Sequence, residues 1–245
     1  MVHARFRFYA ELNNFLPFAQ RWRFVRHACS REATVKHMIE VLGVPHTEAD
    51  LILINGKSVG FSYRLLDGDE VSVYPAFRML DVETAMLRPP LEAPIRFIAD
   101  AHLGQLARNL RMLGFDVLYR NDYPDAEVAR IAAEENRVVL TRDRDLLIRR
   151  EIRYGCYLHS LFADEQAVEV LARFRLAEAA HAFSRCLSCN GLLRQVEREL
   201  VAHRIPAHSQ EHYDIFYECD SCAQVYWEGS HVERMRLRVA RMLGK

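Results

Sequence analysis

Two pairs of closely spaced cysteines constrain the fold of this chain more than any other feature of its sequence. They are Cys186 with Cys189 and Cys219 with Cys222. A C-x-x-C spacing presents two thiolates from one tight turn, and two such turns complete a tetrahedral site for zinc. Because four sulfur ligands leave no open position for water, we expect a structural Zn²⁺ ion. A redox-active pair is the alternative, but neither pair has the strand and helix context of thioredoxin-like motifs.

The sequence predicts a cytoplasmic protein without a membrane partner. No segment of the 245 residues approaches the roughly 18 consecutive apolar residues that a membrane helix needs. The first residues alternate polar and apolar side chains, unlike a signal peptide. In the cytoplasm, paired cysteines favour metal binding over disulfides. The 33 basic and 33 acidic residues balance, so an anionic partner must be held by a local patch.

Residues 1–80 predict a small domain with the element order strand, strand, helix, strand, strand. The second strand is predicted around residues 21–25, where Trp22 and Phe24 alternate with arginines. Thr34 is the predicted N-cap of the helix, and Asn55-Gly56 indicates a hairpin.

The order of these elements and the closing segment LLDGDEVSVYP, residues 65–75, resemble the ubiquitin-like β-grasp domains of small sulfur carriers. Those carriers end in a free Gly-Gly, whereas here Pro75-Ala76-Phe77 continues into more protein. The resemblance therefore implies an interaction or positioning module that could contact a protein partner. A role as a sulfur-carrier-like partner in cofactor synthesis is an alternative that the missing Gly-Gly argues against.

Residues 81–94 contain Pro89-Pro90 and Pro94, which indicate a stiff linker. Within residues 95–180, predicted strands then alternate with predicted helices. This alternation implies an α/β domain with a parallel sheet and helical crossovers.

Several aspartates follow the predicted parallel strands. In an open parallel sheet, ligands bind at the carboxyl ends of the strands. So many negative charges need a cation, and carboxylate oxygens suit Mg²⁺ or Mn²⁺. The candidate catalytic residues are Asp100, Asp122, Asp125, Asp143 and Asp145. Nearby arginines that could hold substrate phosphates are Arg108, Arg111, Arg142 and Arg144. Each aspartate could instead cap a helix or turn, and Asp145 could cap a helix over residues 146–150.

The segments FIADAHLGQLARNLRMLGFDV and DYPDAEVARIAAEENRVVLTRDRDLL, followed by the cysteine pairs, occupy roughly residues 96–236. Together they resemble the Mut-seven carboxy-terminal ribonuclease family, a PIN-like nuclease domain fused to a zinc ribbon. The resemblance implies that Asp100, Asp125 and Asp143 are the principal catalytic residues, supported by Asp122 and Asp145. Larger PIN domains also use a glutamate on a middle helix, and no clear equivalent lies between Asp100 and Asp122.

Residues 181–230 are predicted to form the zinc ribbon, and residues 231–245 a basic amphipathic helix. The 29 residues between the cysteine pairs predict an extended hairpin whose histidines are exposed. Tyr226 and Trp227 resemble the end of such ribbons and could stack on RNA bases. The basic face of the helix could contact the RNA backbone, or it could simply be solvated.

These features together predict a metal-dependent ribonuclease that acts on tRNA or another RNA. The alternative is a non-catalytic module that binds RNA or protein, in which the aspartates cap helices. Metal binding that depends on Asp100 and Asp143 would separate the two.

Overall fold

The computed structural model describes residues 1–75 and 87–245, apart from the side chain of Ser230. The chain forms two compact units, each of which is discontinuous in sequence. The first comprises Met1–Ala93 and Thr141–Tyr157, and the second comprises Pro94–Leu140 and Leu158–Lys245. Across the described ranges, no helix has both the length and the apolar character needed to span a bilayer.

A five-stranded mixed sheet forms the framework of the first unit. Only β1 and β5 pair in parallel, and the other neighbouring strands are antiparallel. The strand order β2-β1-β5-β3-β4 is that expected of a ubiquitin-like β-grasp domain, so this part of the predicted fold is confirmed. The strands are β1 (Val2–Phe8), β2 (Val25–Cys29), β3 (Leu51–Ile54), β4 (Lys57–Ser58) and β5 (Glu70–Tyr74).

Helix α1 (Val35–Val41) contributes apolar side chains to the core of this sheet. Thr34 is its N-cap, as predicted, because the Thr34 hydroxyl accepts the backbone N–H of His37 at 3.2 Å. Asn55 and Gly56 have φ values of 50° and 81°, the positive values that a tight hairpin between β3 and β4 requires.

The second strand begins at Val25, so the prediction of a strand around residues 21–25 is wrong by about one strand length. A loop organised by the fully buried Asn13 occupies this stretch. The Asn13 amide donates to the carbonyls of Phe8 (2.9 Å) and Ala10 (3.0 Å), and its oxygen accepts the N–H of Trp22 at 2.7 Å. Trp22 adopts a φ of 63°, which is rare for a bulky residue and interrupts an extended strand.

Arg88 attaches the middle of the predicted linker to the first unit. Its guanidinium donates to the carbonyls of His46 (2.9 Å) and Ala49 (2.8 Å) and pairs with Asp50. Residues 81–86 of the predicted linker lie outside the described residues. Leu87 and Arg88 therefore belong structurally to the first unit.

A parallel sheet, in which β6 pairs with β7 on one side and with β8 on the other, forms the centre of the second unit. Its central strand, β6, contains three fully buried apolar residues, Phe97, Ile98 and Ala99. The predicted α/β fold with helical crossovers is therefore confirmed. The elements are β6 (Arg96–Ala99), α2 (Gly104–Met112), β7 (Asp116–Tyr119), α3 (Asp125–Glu135) and β8 (Val138–Thr141).

The segment Thr141–Tyr157 packs within the first unit. It contains α4 (Arg144–Leu147) and β9 (Gly155–Tyr157). The N–H of Tyr157 donates to the buried Glu48 carboxylate at 2.7 Å, and the Ile152 carbonyl lies 3.0 Å from Nε2 of His46. These contacts join the segment to residues far from it in the sequence.

An antiparallel sheet in the order β10-β11-β12 carries the cysteines in the C-terminal part of the second unit. The extended hairpin predicted between the cysteine pairs is interrupted by two short helices, and a helix before the first pair was not predicted. The elements are α5 (Ala163–Phe174), β10 (Leu193–Val196), α6 (Arg198–Val201), α7 (Ala207–His212), β11 (Phe216–Cys219), β12 (Val225–Trp227) and α8 (Ser230–Met242).

We predict that Asn13→Ala lowers the free energy of unfolding by roughly 2–3 kcal/mol, because buried backbone groups lose their partner. Urea unfolding followed by circular dichroism measures the loss. Asn14→Ala is the matched control, since the Asn14 side chain is exposed. Equal losses in the two variants would contradict the role of Asn13 in the loop.

Candidate functional site

Asp100 lies at the carboxyl end of β6, the central strand of the parallel sheet. Its backbone N–H donates to the Leu140 carbonyl in β8 at 3.0 Å, and its Oδ1 accepts the N–H of Ala101 at 2.6 Å. The side chain is partly exposed. Asp100 therefore stands where parallel sheets bind ligands.

Tyr119 fixes the turn that follows Asp100. Its hydroxyl donates to the carbonyl of Ala101 at 2.9 Å. Tyr119 was not a candidate in the sequence, although it ends β7 and pairs in register with Ala99 at the end of β6. The position of Tyr119 at the end of the strand next to β6 is the sequence signal that could have identified it.

The other candidate aspartates of the second unit lie at the surface. Asp122 accepts two hydrogen bonds from Arg120, at 2.9 and 2.8 Å, and these hydrogen bonds lower the pKa of Asp122. Asp125 is the exposed first residue of α3, where a carboxylate also suits the helix dipole. In the part of the chain that the structure describes, Asp100, Asp122 and Asp125 do not form a group of three ligand atoms within 4.8 Å of one another.

Asp143 and Asp145 belong to the first unit. Asp143 is the N-cap of α4, since its Oδ1 accepts the N–H of Asp145 at 2.8 Å. Its own N–H donates to the Thr141 hydroxyl at 2.9 Å. The sequence allowed Asp145 to be the cap of this helix, but in the structure the cap is Asp143. Both carboxylates are exposed.

The four candidate phosphate-binding arginines have different surroundings. Arg108 and Arg142 are exposed. Arg144 donates to the Phe15 carbonyl at 3.2 Å, and its guanidinium carbon lies 5.2 Å from the centre of the Phe15 ring. This contact orients the Arg144 side chain by cation–π attraction.

Arg111 is only 3% exposed, which corrects the expectation that it binds substrate phosphates. Its Nε and Nη2 donate to the Val117 carbonyl at 3.0 and 2.8 Å, and Nη1 donates to the carbonyl of Ser188 at 2.8 Å. Burial lowers the pKa of Arg111, opposed by the nearby thiols of Cys189 and Cys186. Arg111 therefore joins α2 and β7 to the first cysteine turn.

The four predicted zinc ligands come together. Their Sγ atoms all lie within 4.8 Å of one another, with Cys186 to Cys222 at 3.7 Å and Cys189 to Cys219 at 3.4 Å. Zn–S bonds of about 2.3 Å in a tetrahedron place sulfurs about 3.8 Å apart, so the cluster fits a metal ion such as zinc. A Cβ at Gly191 would lie 2.8 Å from the Cys219 sulfur, so glycine permits the two turns to approach.

Tyr226 contacts the cluster through its hydroxyl, 3.1 Å from the Cys186 sulfur. Burial raises the pKa of the Cys186 thiol, but hydrogen bonds from Tyr226 and from backbone N–H groups outweigh it and lower the pKa to about 6. Burial and Cys186 raise the pKa of Tyr226 to about 12, so its hydroxyl keeps its proton at neutral pH. The Tyr226 hydroxyl therefore supports a thiolate ligand.

Asn190, directly after the first cysteine pair, joins the cysteine turn to β7. Its Oδ1 accepts the N–H of Val117 and its Nδ2 donates to Asp116, both at 2.9 Å. Arg137 also donates to Asp116, at 2.6 Å. Burial would raise the pKa of Asp116, but the hydrogen bonds from Arg137 and Asn190 outweigh it and lower the pKa. The cysteine sheet and the parallel sheet are therefore connected by one buried polar network.

One arginine of the basic face on α8 forms an ion pair with an aspartate of the same unit. Arg238 donates from Nε to both carboxylate oxygens of Asp164, at 2.8 and 3.0 Å, which lowers the pKa of Asp164. Arg234 and Arg241 are exposed.

The histidines between the cysteine pairs are exposed, as expected, and the described residues contain no further metal-ligating group around them.

Residues 95–239 match the family described as the Mut7-C RNAse domain, which covers more than half of the chain. Residues 1–81 match the family described as Mut7-C ubiquitin. The chain is 36% identical over 102 residues to the exonuclease mut-7 homolog of Homo sapiens. That alignment covers 39% of this chain and 12% of the human protein, so the chain spans a small part of this relative.

Among solved structures, the chain is similar to two crystal structures of small archaeal modifier protein 1 from Haloferax volcanii. The sequence identities are 22% and 20%, and both TM-scores are 0.26. Each similarity covers 31% of this chain, and 100% and 97% of the respective modifier chains.

Gly114, between α2 and β7, lies against the segment that enters the cysteine sheet. It has a φ of 95°, and a Cβ there would lie 2.3 Å from the His181 carbonyl oxygen. We predict that Gly114→Ala lowers the free energy of unfolding by about 3 kcal/mol or more, from left-handed backbone strain and a clash with backbone. Gly244→Ala is the control, because Gly244 has a φ of 70° with nothing within 4 Å. Urea unfolding that gives equal losses would exclude the clash.

Proposed function

Because the chain belongs to the Mut7-C RNAse domain family, we propose that it is a divalent-metal-dependent ribonuclease of the PIN-like type. The reaction is hydrolysis of RNA phosphodiester bonds, and tRNA or another structured RNA is the proposed substrate. The observation that carries the mechanism is the position of Asp100, at the end of the central parallel strand and hydrogen-bonded through its backbone to β8.

Asp100, Asp125 and Asp143 are the proposed metal-binding carboxylates, with Asp122 and Asp145 in support. Asp100 follows β6 and Asp143 follows β8 in the chain, and β6 pairs with β8 in parallel. Magnesium often keeps several waters and is held by one or two carboxylates, so a carboxylate that follows a parallel strand suits Mg²⁺ or Mn²⁺. A bound ion would supply an activated water and stabilise the leaving oxygen.

Arginines of this chain are proposed to bind the substrate phosphates. Arg108 and Arg142 are exposed, and Arg144 is oriented by Phe15 before any substrate binds. An oriented guanidinium loses less side-chain freedom when it binds a phosphate, so Arg144 contributes more to affinity than a freely moving arginine.

The four-cysteine cluster is proposed to hold one structural Zn²⁺ in a zinc ribbon. The ribbon and the exposed arginines of α8 would orient the RNA. We also propose a cytoplasmic location, because closely spaced cysteine pairs favour metal binding there. The proposed domains are residues 1–80, 95–180 and 181–230, with a linker at 81–94 and a terminal helix at 231–245. The ubiquitin-like domain would act as the interaction module, including contact with a protein partner.

A non-catalytic RNA- or protein-binding module is the second candidate function. It is favoured by the structural roles of two aspartates, since Asp143 caps α4 and Asp122 pairs with Arg120. In that case the family fold would be retained while the carboxylates only stabilise helices and turns.

We predict that Asp100→Asn and Asp143→Asn each reduce RNA cleavage by about 100-fold or more, as expected when a carboxylate needed for catalysis loses its charge. Asparagine is also a good N-cap, so Asp143→Asn removes the charge while keeping the cap of α4. The assay uses labelled single-stranded RNA, tRNA and matched DNA in Mg²⁺, Mn²⁺ or EDTA.

Glu178→Gln is the control for this assay, because Glu178 is an exposed acid of the second unit outside the proposed site. Cleavage lost in EDTA should return when Mg²⁺ or Mn²⁺ is added back. A wild-type protein that cuts nothing in either metal, or aspartate variants that cut as well as wild type, would leave the binding module as the better description.

For the cysteine cluster we expect about one zinc ion per chain, lost in Cys219→Ser, with a lower thermal midpoint because metal-binding energy stabilises the ribbon. Elemental analysis and calorimetry measure the two effects. Cys29→Ala is the control, since Cys29 lies outside the cluster. A metal-free protein in which mass spectrometry finds a disulfide within the cluster would support the redox alternative.

A further inference from the structure

The first 31 residues concentrate positive charge in a chain whose total charge is zero. They contain six arginines and one acidic residue, Glu11. The remaining residues must therefore carry the compensating negative charge. A polyanion that meets this molecule is attracted to a local patch formed by these first residues, not to the molecule as a whole.

Three of these arginines lie on the outward face of β1 and β2, and two of them contact an aromatic ring. Alternation in β1 buries Phe6 and Phe8 and leaves Arg5 and Arg7 on the opposite face, where Arg5 pairs in register with Arg26. The guanidinium carbons of Arg5 and Arg7 lie 5.5 and 5.7 Å from the centre of the Phe24 ring. Stacking on a ring keeps these guanidinium planes in fixed orientations.

The loop before Phe24 adds an exposed tryptophan. The Trp22 side chain is 63% exposed, although its backbone is in the unfavourable left-handed region. The backbone N–H of Trp22 donates to Oδ1 of the buried Asn13, and this hydrogen bond stabilises the loop conformation. The fold accepts backbone strain at Trp22 without burying its indole, which is the pattern expected of a residue that binds something.

The acids near this face are already paired. Glu70, beside Arg5 in the sheet, forms an ion pair with Arg5. Asp67 lies 3.6 Å from His3 and also accepts the His3 backbone N–H. Arg23 and Arg26 are exposed and Arg7 is partly exposed, so the face keeps a positive surplus.

We propose that this arginine–aromatic face binds single-stranded RNA, an inference that rests on the proposed function because it gives the ribonuclease a second contact with its substrate. Guanidinium groups neutralise phosphates, and bases stack on exposed rings and on guanidinium planes. This combination fits a flexible polyanion with planar bases better than a protein surface. The face consists of Arg5, Arg7, Trp22, Arg23, Phe24 and Arg26.

The test measures binding of labelled oligouridine to the full-length protein by fluorescence anisotropy, without added Mg²⁺ or Mn²⁺ and without chelator. Arg23→Glu with Arg26→Glu should raise the Kd by about tenfold or more and reduce the dependence of log Kd on log salt by about 1.4, because two phosphate contacts are lost. Lys57→Glu, in β4 at the other edge of the sheet, is the charge control and should have little effect.

Trp22 provides a second, uncharged test. Trp22→Gly should weaken binding by about fivefold or more, the loss expected for one stacked base. Glycine tolerates a positive φ, so the thermal midpoint should not fall. Trp22→Phe, which keeps an aromatic ring, should bind nearly as well as wild type.

The inference is overturned if the wild type does not bind oligouridine, or if Lys57→Glu weakens binding as much as the double reversal. It is also overturned if the face variants bind like the wild type, which would leave the face to a protein partner. Because binding is measured without cleavage, these outcomes do not depend on whether Asp100 and Asp143 are catalytic.

Discussion

The second unit depends on the partly buried carboxylate of Asp116. A carboxylate in this position is costly unless it is well hydrogen-bonded. Arg137 and Asn190 supply those hydrogen bonds, and Asn190 also satisfies the N–H of Val117. As a result, the carboxylate of Asp116 connects the cysteine turn, the edge of the parallel sheet and the residue directly before β8. Breaking such a network usually costs more than its separate hydrogen bonds suggest.

The parts of the fold that the sequence could predict are those that local residues determine. The alternating strands and helices of residues 95–180 and the Asn55-Gly56 hairpin were predictable, because apolar runs flanked by turn residues act locally. The cysteine cluster was also predictable, since the chemistry of four thiolates restricts the possible geometries. Local patterns of this kind need no knowledge of distant residues.

The errors arise where a distant residue decides the outcome. The alternation of Trp22 and Phe24 suggested a strand, but the amide of Asn13 fixes a turn at Trp22 instead. Arg111 looked like a surface arginine beside the aspartates, yet the carbonyls of Val117 and Ser188 require it in the interior. For the candidate active site, the sequence could identify which aspartates follow strands. It could not distinguish a carboxylate that caps a helix, such as Asp143, from one that is only exposed.

The discontinuity of the first unit has a consequence for the order of folding. Its Glu48–Tyr157 and His46–Ile152 contacts connect residues that are 109 and 106 positions apart. During synthesis, the N-terminal sheet leaves the ribosome long before the segment Thr141–Tyr157 exists. The first unit must therefore wait for strands β6 to β8 of the second unit to be made before it can be completed. Its assembly is a late event in the synthesis of a chain whose N-terminal domain is made first.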